Sequence, residues 1–317
     1  MSVVVGRLCW VLRVSEQSRV AGVGCGMSPA VDVREKWRLA GFSLLHLCMD
    51  AAVFESTLTE RMALLLSGLP YADLNLAVLW GGGQAGGGDF GGELEWVRLR
   101  SEFRRVPCLV LAADGGADGG VSADGGGVEC ERGGLLAAGE IPLMRLDVSG
   151  AGDGCVSDVV SDVVLGDCGL AESDAEVECA NAVTGAAFGL PLRAVGAVFG
   201  CVLSRQPGLR VYVARHEGEV GSGLRVSRIG ETAVIWCMAT AAGRQRNGFG
   251  RRVLSAAIAA ERAAGATEFL LLATPAGQPL YRSVGFGVIS VASAWLLGGE
   301  FAAGEGVAGE GVAELHE

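Results

Sequence analysis

The sequence predicts an α/β fold in which helices flank a mixed central sheet. Short apolar runs of strand length, such as Leu74–Trp80 and Cys108–Ala113, alternate with segments of helical periodicity, such as Val31–Met49. A similar strand–helix–strand order occurs once in each half of the chain. The chain has 317 residues, of which 50% are hydrophobic, so two domains of ordinary size can each bury a core.

Composition and periodicity divide the chain into four segments. Residues 1–27 have no clear period and are interpreted as an extension that need not be ordered. A first domain is predicted over 28–150 and a second over 151–298, with the small-residue linker Ser149–Gly154 between them. The Gly/Ala/Glu-rich tail at 299–317 is predicted to be acidic and disordered.

In the first domain, helical spacing predicts a helix over Val31–Met49, and a second amphipathic run covers Phe54–Leu66. The remaining predicted elements are a strand at Leu74–Trp80, a helix at Glu93–Arg105, a strand at Cys108–Ala113, the end of a short helix at Leu135–Ala138 and a strand at Ile141–Val148.

The second domain is predicted to begin with a strand at Val156–Leu165 and two helices at Asp174–Phe188 and Leu192–Leu203. Antiparallel strands at Leu209–Arg215 and Gly221–Val226 and a strand at Thr232–Thr240 come next. The domain is predicted to close with a helix at Gly248–Ala264, a strand at Phe269–Thr274, a short helix at Gln278–Val284 and a strand at Gly287–Leu297.

Several classes of protein are disfavoured. No run reaches the roughly 18 apolar residues that a membrane-spanning helix needs, and the arginines within residues 1–27 are unlike a secretory signal. We therefore expect a cytoplasmic protein that does not bind a membrane. The 10 cysteines form no CxxC pair and only 3 histidines are present, so we expect no metal site.

Charge is unevenly distributed along the chain. Residues 176–298 hold 12 Arg against 7 Asp and Glu, a net charge of +5, whereas the whole chain carries −11. A basic segment in an acidic chain suits a small polyanionic ligand held locally and argues against nucleic acid as a partner.

A glycine-rich turn lies inside this basic segment. Gln245, Arg246, Asn247, Gly248, Phe249 and Gly250 connect an apolar strand to a helix. Glycines at a helix entry let backbone N–H groups approach an anion, and the helix N-terminus adds unpaired donors and a favourable dipole. These residues alone leave two readings open, a phosphate site or a solvated basic turn.

The earlier loop Gly81–Gly86 formally fits the dinucleotide pattern GxGxxG after a strand. A dinucleotide fingerprint should open its helix at once, but six further residues intervene, and no lysine follows to make a phosphate-binding loop. We interpret it as a connection without a ligand.

Three linked motifs in the second domain resemble the GNAT superfamily of acyl-CoA-dependent N-acyltransferases. Met238-Ala239-Thr240 ends a central strand, Gln245–Gly250 matches the pattern Q/R-x-x-G-x-G/A, and Tyr281–Phe286 matches Y-x-x-x-G-F. The first half follows a similar element order without either of the last two motifs. It therefore resembles a degenerate second GNAT-like domain, expected to shape the acceptor cleft or to act as a structural lobe.

The resemblance implies acetyl-CoA as cosubstrate and a GNAT-like mixed sheet. It implies pairing of the pantetheine arm with Met238, Ala239 and Thr240. It also implies that the pyrophosphate is held by the turn and the start of its helix, which comprise Gln245, Arg246, Asn247, Gly248, Phe249, Gly250 and Arg251. Tyr281 matches the proton-donating tyrosine of the family, since a phenol stays protonated near neutral pH. The glutamate that many relatives carry on the strand is missing from Thr232–Thr240.

The implied function is N-acetyl transfer to a primary amine of a small molecule or a peptide. Three alternatives stay open: a catalytically silent acyl-CoA-binding regulator, an enzyme using a larger acyl donor, and a scaffold without ligand. Glu217, Glu219 and Glu231 are the other carboxylates considered as a base, but all lie at predicted turns. The sequence discloses neither the acceptor nor whether the chain forms a homo-oligomer.

Overall fold

The computed structural model describes residues 31–48, 55–81, 90–113, 135–149, 167–204 and 206–298. Its helices are α1 (Val33–Leu47), α2 (Gly91–Arg104), α3 (Asp174–Phe188), α4 (Leu192–Phe199), α5 (Phe249–Ala263) and α6 (Gln278–Ser283). Its strands are β1 (Glu55–Leu58), β2 (Met62–Leu66), β3 (Asn75–Trp80), β4 (Cys108–Ala113), β5 (Leu135–Asp147), β6 (Cys168–Leu170), β7 (Leu209–His216), β8 (Glu219–Ile229), β9 (Thr232–Thr240), β10 (Glu268–Leu272) and β11 (Gly287–Leu297).

All of these strands form one mixed sheet in the order β1-β2-β3-β4-β11-β5-β10-β9-β8-β7-β6. Two pairs are parallel, β3 with β4 and β9 with β10, and each is joined through a helix, α2 and α5 respectively. Such crossovers are what parallel neighbours require. The expected fold class, a mixed sheet flanked by helices, is confirmed.

The two halves repeat the same strand pattern. In the first half β2 pairs antiparallel with β3, and β3 pairs parallel with β4. In the second half β8 pairs antiparallel with β9, and β9 pairs parallel with β10. This correspondence gives the chain its two-lobed architecture.

The last strand of each half lies against the other half. β5 follows β4 in the chain but pairs with β10, and β11 follows β10 but pairs with β4. The two exchanged strands then pair with each other along most of their length, from Gly287 opposite Arg145 to Leu297 opposite Leu135. The sheet is therefore continuous across both halves, and each half supplies one of the other's strands.

Helices cover both faces of the second half. Helix α5 packs on one face with Leu224, Val226 and Phe269. Helices α1 and α4 pack on the other face with Val234 and Trp236. The side chains of α5 that pack there recur at helical spacing, as Val253, Leu254, Ala257 and Ile258, and form the apolar stripe of the helix.

Two element predictions in the first half are wrong. The run Phe54–Leu66 was expected to be one amphipathic helix, but its described residues form β1 and β2, which pair as a hairpin with Leu58 opposite Ala63. All five residues of β2 are buried, and a short, fully apolar run fits a buried strand as well as a helix.

The second wrong prediction is the helix end at Leu135–Ala138. These residues begin β5, which pairs there with the end of β11. Gly139 has φ 117° beside an irregularity in the β5–β11 register, so this glycine lies within a bent strand and does not end a helix. The strand predicted at Val156–Leu165 lies outside the described residues, as do the segments 1–27 and 299–317.

Among the described residues no single helix is long and apolar enough to cross a membrane. Helices α3 and α4 meet the length and composition requirements only when taken together, and they are bent by 120° relative to each other.

Candidate functional site

A gap opens in the sheet where β9 and β10 diverge. Their parallel pairing runs from Thr232 opposite Glu268 to Ile235 opposite Leu271 and ends there. Strand β9 continues to Thr240, paired only with β8 on its other side. Beyond β10, the N–H of Ala273 donates to the carbonyl of Pro142 in β5, which carries this segment away from β9. The edge of β9 from Trp236 onward therefore has backbone groups free to pair with a ligand.

A bulge marks the point where the gap begins. The β8–β9 register shifts between Gly223, opposite Ala239, and Arg225, opposite Trp236. Cys237 lies in this shift with φ 52°, a left-handed conformation that non-glycine residues rarely adopt. Bulges bend a strand and redirect its side chains, which accounts for the change in course of β9 here.

The predicted glycine turn lies directly beyond this strand end. Arg246 and Gly248 both have left-handed backbone conformations, with φ 61° and 79°, and α5 begins at Phe249. No side chain caps the N-terminus of this helix. The first main-chain hydrogen bond of α5 runs from the Arg252 N–H to the Gly248 carbonyl, 3.0 Å. The preceding N–H groups of the first turn are free for an anion.

Close packing joins the turn to the strand end. A Cβ on Gly250 would lie 3.3 Å from Met238 Cε, Thr240 Oγ1 and Leu280 Cδ2. A side chain at this position would require these neighbours to shift by a few tenths of an ångström, so glycine suits the close approach of α5 to β9 and α6. By contrast, a Cβ on Gly248 would meet nothing within 4 Å, so open space lies in front of the turn.

Arginines surround the turn. The Arg252 guanidinium lies 4.2 Å from the centroid of the Phe249 ring, and that of Arg244 lies 5.9 Å from it. Arg244 also comes within 3.6 Å of the exposed Glu219, and Arg251 donates to the carbonyl of Ser283, 2.9 Å. Four of the 12 arginines of residues 176–298 thus lie at this one helix end: Arg244, Arg246, Arg251 and Arg252.

Tyr281 lies on α6 and is buried, with 8% of its surface exposed. Its ring makes an edge contact with Phe286, at 6.1 Å between centroids. Burial raises the pKa of the Tyr281 phenol, and the nearby Cys237 thiol raises it further. The phenol therefore stays protonated at neutral pH and remains able to donate a proton.

The ten residues predicted to hold acetyl-CoA come together around the gap and the turn. They are Met238, Ala239, Thr240, Gln245, Arg246, Asn247, Gly248, Phe249, Gly250 and Arg251. Within this group the amide of Gln245 donates to the Thr240 carbonyl, 3.4 Å, and the Ser222 hydroxyl donates to the Ala239 carbonyl, 2.7 Å. Tyr281 shares a core cluster with Met238 and with Leu280, which contacts Gly250.

The alternative carboxylates do not join this group. Glu217 and Glu231 are exposed at turns, and Glu219 is exposed at the first residue of β8. The His216 ring, also partly exposed, makes an edge contact with Phe249 at 5.7 Å. No group of three or more potential metal ligands occurs in the part of the chain that the structure describes.

Sequence reasoning missed Cys237, at the bulge of β9, and Arg225 and Asn181, which lie on β8 and α3 next to it. Arg225 and Asn181 are buried and hydrogen-bonded to each other. The sequence did offer a signal for Arg225, since this charged residue stands between Leu224 and Val226 inside the predicted strand. The structure shows that the neighbouring residues of the strand are buried. Asn181 and Cys237 carried no such signal, because an α-helix tolerates asparagine and a buried cysteine behaves as a small apolar residue.

Comparison with known proteins agrees with this geometry. Residues 207–288 match the family described as "Acetyltransferase (GNAT) domain". A GCN5-related N-acetyltransferase from Kribbella flavida is similar in structure, with TM-score 0.57, 16% identity, and coverage of 85% of this chain and 97% of that chain. A functionally unknown conserved protein from Staphylococcus epidermidis ATCC 12228 gives TM-score 0.53, 12% identity, and coverage of 78% and 94%. At these identities the two structures show a shared fold alone. No curated protein is significantly similar in sequence.

Proposed function

We propose that this chain is an N-acetyltransferase, because residues 207–288 match the family described as "Acetyltransferase (GNAT) domain". It transfers an acetyl group from acetyl-CoA to a primary amine of a small molecule or a peptide, by direct attack in a ternary complex. The observation that carries the proposal is the gap between β9 and β10, which opens beside the glycine turn of α5.

The residues of the gap and the turn fit acetyl-CoA. The free N–H groups at the start of α5 and the surrounding arginines suit a pyrophosphate, and the open space in front of Gly248 leaves room for it. The edge of β9 from Met238 to Thr240, which has no strand paired beside it on the β10 side, suits the amide groups of a pantetheine arm. When bound, acetyl-CoA would supply the activated acyl group as a thioester.

Tyr281 is proposed as the catalytic acid. Its phenol is held in its neutral form, so it has a proton to give to a departing thiolate. The main-chain bonds from Val284 and Phe286 to the Tyr281 carbonyl fix the end of α6, which limits the positions that the ring can take. The proposal assigns no side chain as base, because β9 carries no carboxylate.

A second candidate function is a catalytically silent acyl-CoA-binding regulator. The absence of a carboxylate on β9 is the observation that favours it, since such a residue commonly activates the amine in this fold. The proposal also includes a cytoplasmic location and excludes nucleic acid and membrane partners, on the grounds of charge and hydropathy set out above.

The first experiment is calorimetric titration of the full-length chain with acetyl-CoA and with CoA. Binding is expected, and its absence would overturn both the enzyme and the regulator. The second is an assay of CoA thiol release across a panel of primary amines, with a no-acceptor control for simple thioester hydrolysis. Turnover with an amine supports the transferase, whereas binding without turnover across the panel favours the regulator.

A further inference from the structure

Arg225, on β8, is buried beneath the helices of the second half, with 2% of its surface exposed. Its Nη2 donates to Oδ1 of Asn181 on α3, 2.5 Å, and its guanidinium lies 5.3 Å from the centroid of the Phe199 ring. Within the described residues no carboxylate lies at ion-pair distance from it, and Asn181 is its only hydrogen-bond acceptor. A guanidinium has several further N–H groups, so most of its donors are left for another acceptor.

The other buried charges of this half are paired. Glu261, fully buried, accepts two hydrogen bonds from Arg210 at 2.8 and 2.7 Å. Glu268, 5% exposed, accepts one from Lys36 at 2.6 Å. A buried charge is costly unless a counter-charge and hydrogen bonds offset the loss of water. Arg225 therefore departs from the pattern that the protein follows elsewhere.

Burial lowers the pKa of Arg225, while the thiols of Cys237, Cys48 and Cys201 act on it in the opposite direction. These thiols are weak partners for a cation, since desolvation raises the pKa of Cys48 and also raises that of Cys237, to about 11. The Cys48 and Cys237 thiols are therefore neutral at neutral pH and supply no counter-charge to the guanidinium.

The position of Arg225 relates it to the gap. It lies opposite Trp236, the first residue of β9 beyond the pairing with β10, and next to the bulge at Cys237. Its neighbours Leu224 and Val226 face α5, so Arg225 itself projects to the opposite face, toward α3 and α4. Helix α5, which follows the glycine turn, and Arg225 are therefore on opposite faces of the sheet, and Trp236 opposite Arg225 is where the open edge of β9 begins.

We propose that Arg225, oriented by Asn181, binds a carboxylate carried by a substrate, either the acceptor amine or the acyl group of the donor. This inference rests on the proposed function. A carboxylate would supply the missing counter-charge and accept two parallel N–H bonds from the guanidinium. A site built in this way discriminates strongly against an analogue without the carboxylate, because the cation would then stay unpaired. Arg225 is thus a specificity-determining residue and takes no part in proton transfer.

The experiment uses the full-length chain and acceptor pairs that differ only in a carboxylate: glycine and methylamine, L-phenylalanine and 2-phenylethylamine, L-lysine and 1,5-diaminopentane. Thiol release is measured for each compound with acetyl-CoA and with succinyl-CoA, and binding of each compound is measured by calorimetry. The variants are Arg225→Met, Arg225→Lys and, as a control on the same strand, Arg228→Met, which removes an arginine that has the carboxylate of Glu261 nearby at 3.9 Å.

We expect kcat/KM for the wild type to be about tenfold or more higher with the carboxylated member of at least one pair, or with succinyl-CoA over acetyl-CoA. The first result assigns the carboxylate to the acceptor and the second to the acyl group. Arg225→Met should remove the preference, Arg225→Lys should retain part of it, and Arg228→Met should leave it unchanged.

Equal use of both members of every pair and of both donors by the wild type would overturn the inference, whether or not the variants fold. A preference that persists in Arg225→Met would also overturn it. If no amine turns over, the proposed function fails, but binding of a carboxylated compound that is lost in Arg225→Met would still support the carboxylate site.

Discussion

Glu268 on β10 accepts a hydrogen bond from Lys36 on α1, 232 residues earlier in the chain, with a separation of 2.6 Å. The Thr232 hydroxyl donates to the same oxygen, Oε1, at 2.9 Å, and the second oxygen, Oε2, accepts from Nε of Arg145 on β5, 2.5 Å. One buried carboxylate therefore ties the first half of the chain to the sheet of the second half.

This cluster predicts a pH dependence of stability. Burial alone would raise the pKa of Glu268, but the hydrogen bonds from Lys36, Arg145 and Thr232 outweigh it and hold the pKa below its ordinary value. The folded state therefore favours the ionised form. The stabilisation is complete above the unfolded pKa of about 4.3 and is lost as the pH falls through the lower folded pKa.

Glu268→Gln should lower the free energy of unfolding by about 2 kcal/mol at pH 7, the usual size of a hydrogen-bond loss at a charged group. Urea denaturation between pH 7 and pH 3 should show this difference narrowing on the acid side. Glu172→Gln is the control, since its side chain is 83% exposed and lies 3.9 Å from Arg215. A difference that stays constant down to pH 3 would show that the charge of Glu268 is not what stabilises the protein.

The strand exchange predicts that the second half does not fold alone. A fragment of residues 151–317 lacks β5, which separates β10 from β11, and lacks β4, the other partner of β11. Its apolar strand edges would be exposed, and such edges promote aggregation. We expect the fragment to be insoluble or to lack cooperative thermal unfolding by circular dichroism.

A fragment of residues 135–317 restores β5 beside β10 and is the matched comparison. It should be more soluble than 151–317 and less stable than the full chain. A soluble 151–317 fragment with full acetyltransferase activity would contradict the structural role assigned to the first half.

Gly248→Glu should abolish measurable acetyl-CoA binding or weaken it by at least about tenfold, which is about 1.4 kcal/mol. The new side chain would enter the open space in front of the turn, where its carboxylate would repel a phosphate. Gly230→Glu is a close control, because Gly230 also has a positive φ, 60°, and open space around it but lies at the β8–β9 turn. Calorimetry should show nearly unchanged affinity for Gly230→Glu, and retained affinity in Gly248→Glu would move the phosphate site elsewhere.

Tyr281→Phe should lower kcat by about 10²-fold or more, in the range that a positioned general acid contributes, while the Kd for acetyl-CoA changes little. The substitution removes only the hydroxyl and keeps the ring that packs against Phe286. Tyr71→Phe, at a partly buried position in the first half, controls for the general effect of losing a phenol. An unchanged kcat in Tyr281→Phe would remove this residue from the mechanism.

The sequence anticipated the second half better than the first. The helix now labelled α5 and the strand β9 carry long, consistent patterns and end at recognisable glycines, so they were predicted within one residue at each boundary. The run ending in Met62–Leu66 was ambiguous, because short apolar segments fit a strand or a helix equally.

The exchange of strands could not be predicted, because it depends on which strands pair at a distance. An open strand end at Met238, Ala239 and Thr240 was implied by the family resemblance alone, and the residue at which the gap begins was not. The sequence of residues 232–240 does not indicate that the pairing of β9 with β10 ends at Ile235. The sequence of Leu135–Asp147 does not indicate that this strand pairs with β10. The sequence also could not show that Arg225 lacks a counter-charge, because that depends on which side chains the folded chain places around it.

The exchange of β5 and β11 also bears on how such a chain can change over evolutionary time. In the first half β3 stays paired with β4 to its last residue, Trp80 opposite Ala113, so the described part of these two strands has no opening like that beside β9. A second domain that has no such opening could ordinarily be shortened or lost by deletion without loss of ligand binding. Here its deletion would remove a central strand from the other half, so selection can relax on its ligand chemistry but not on its backbone.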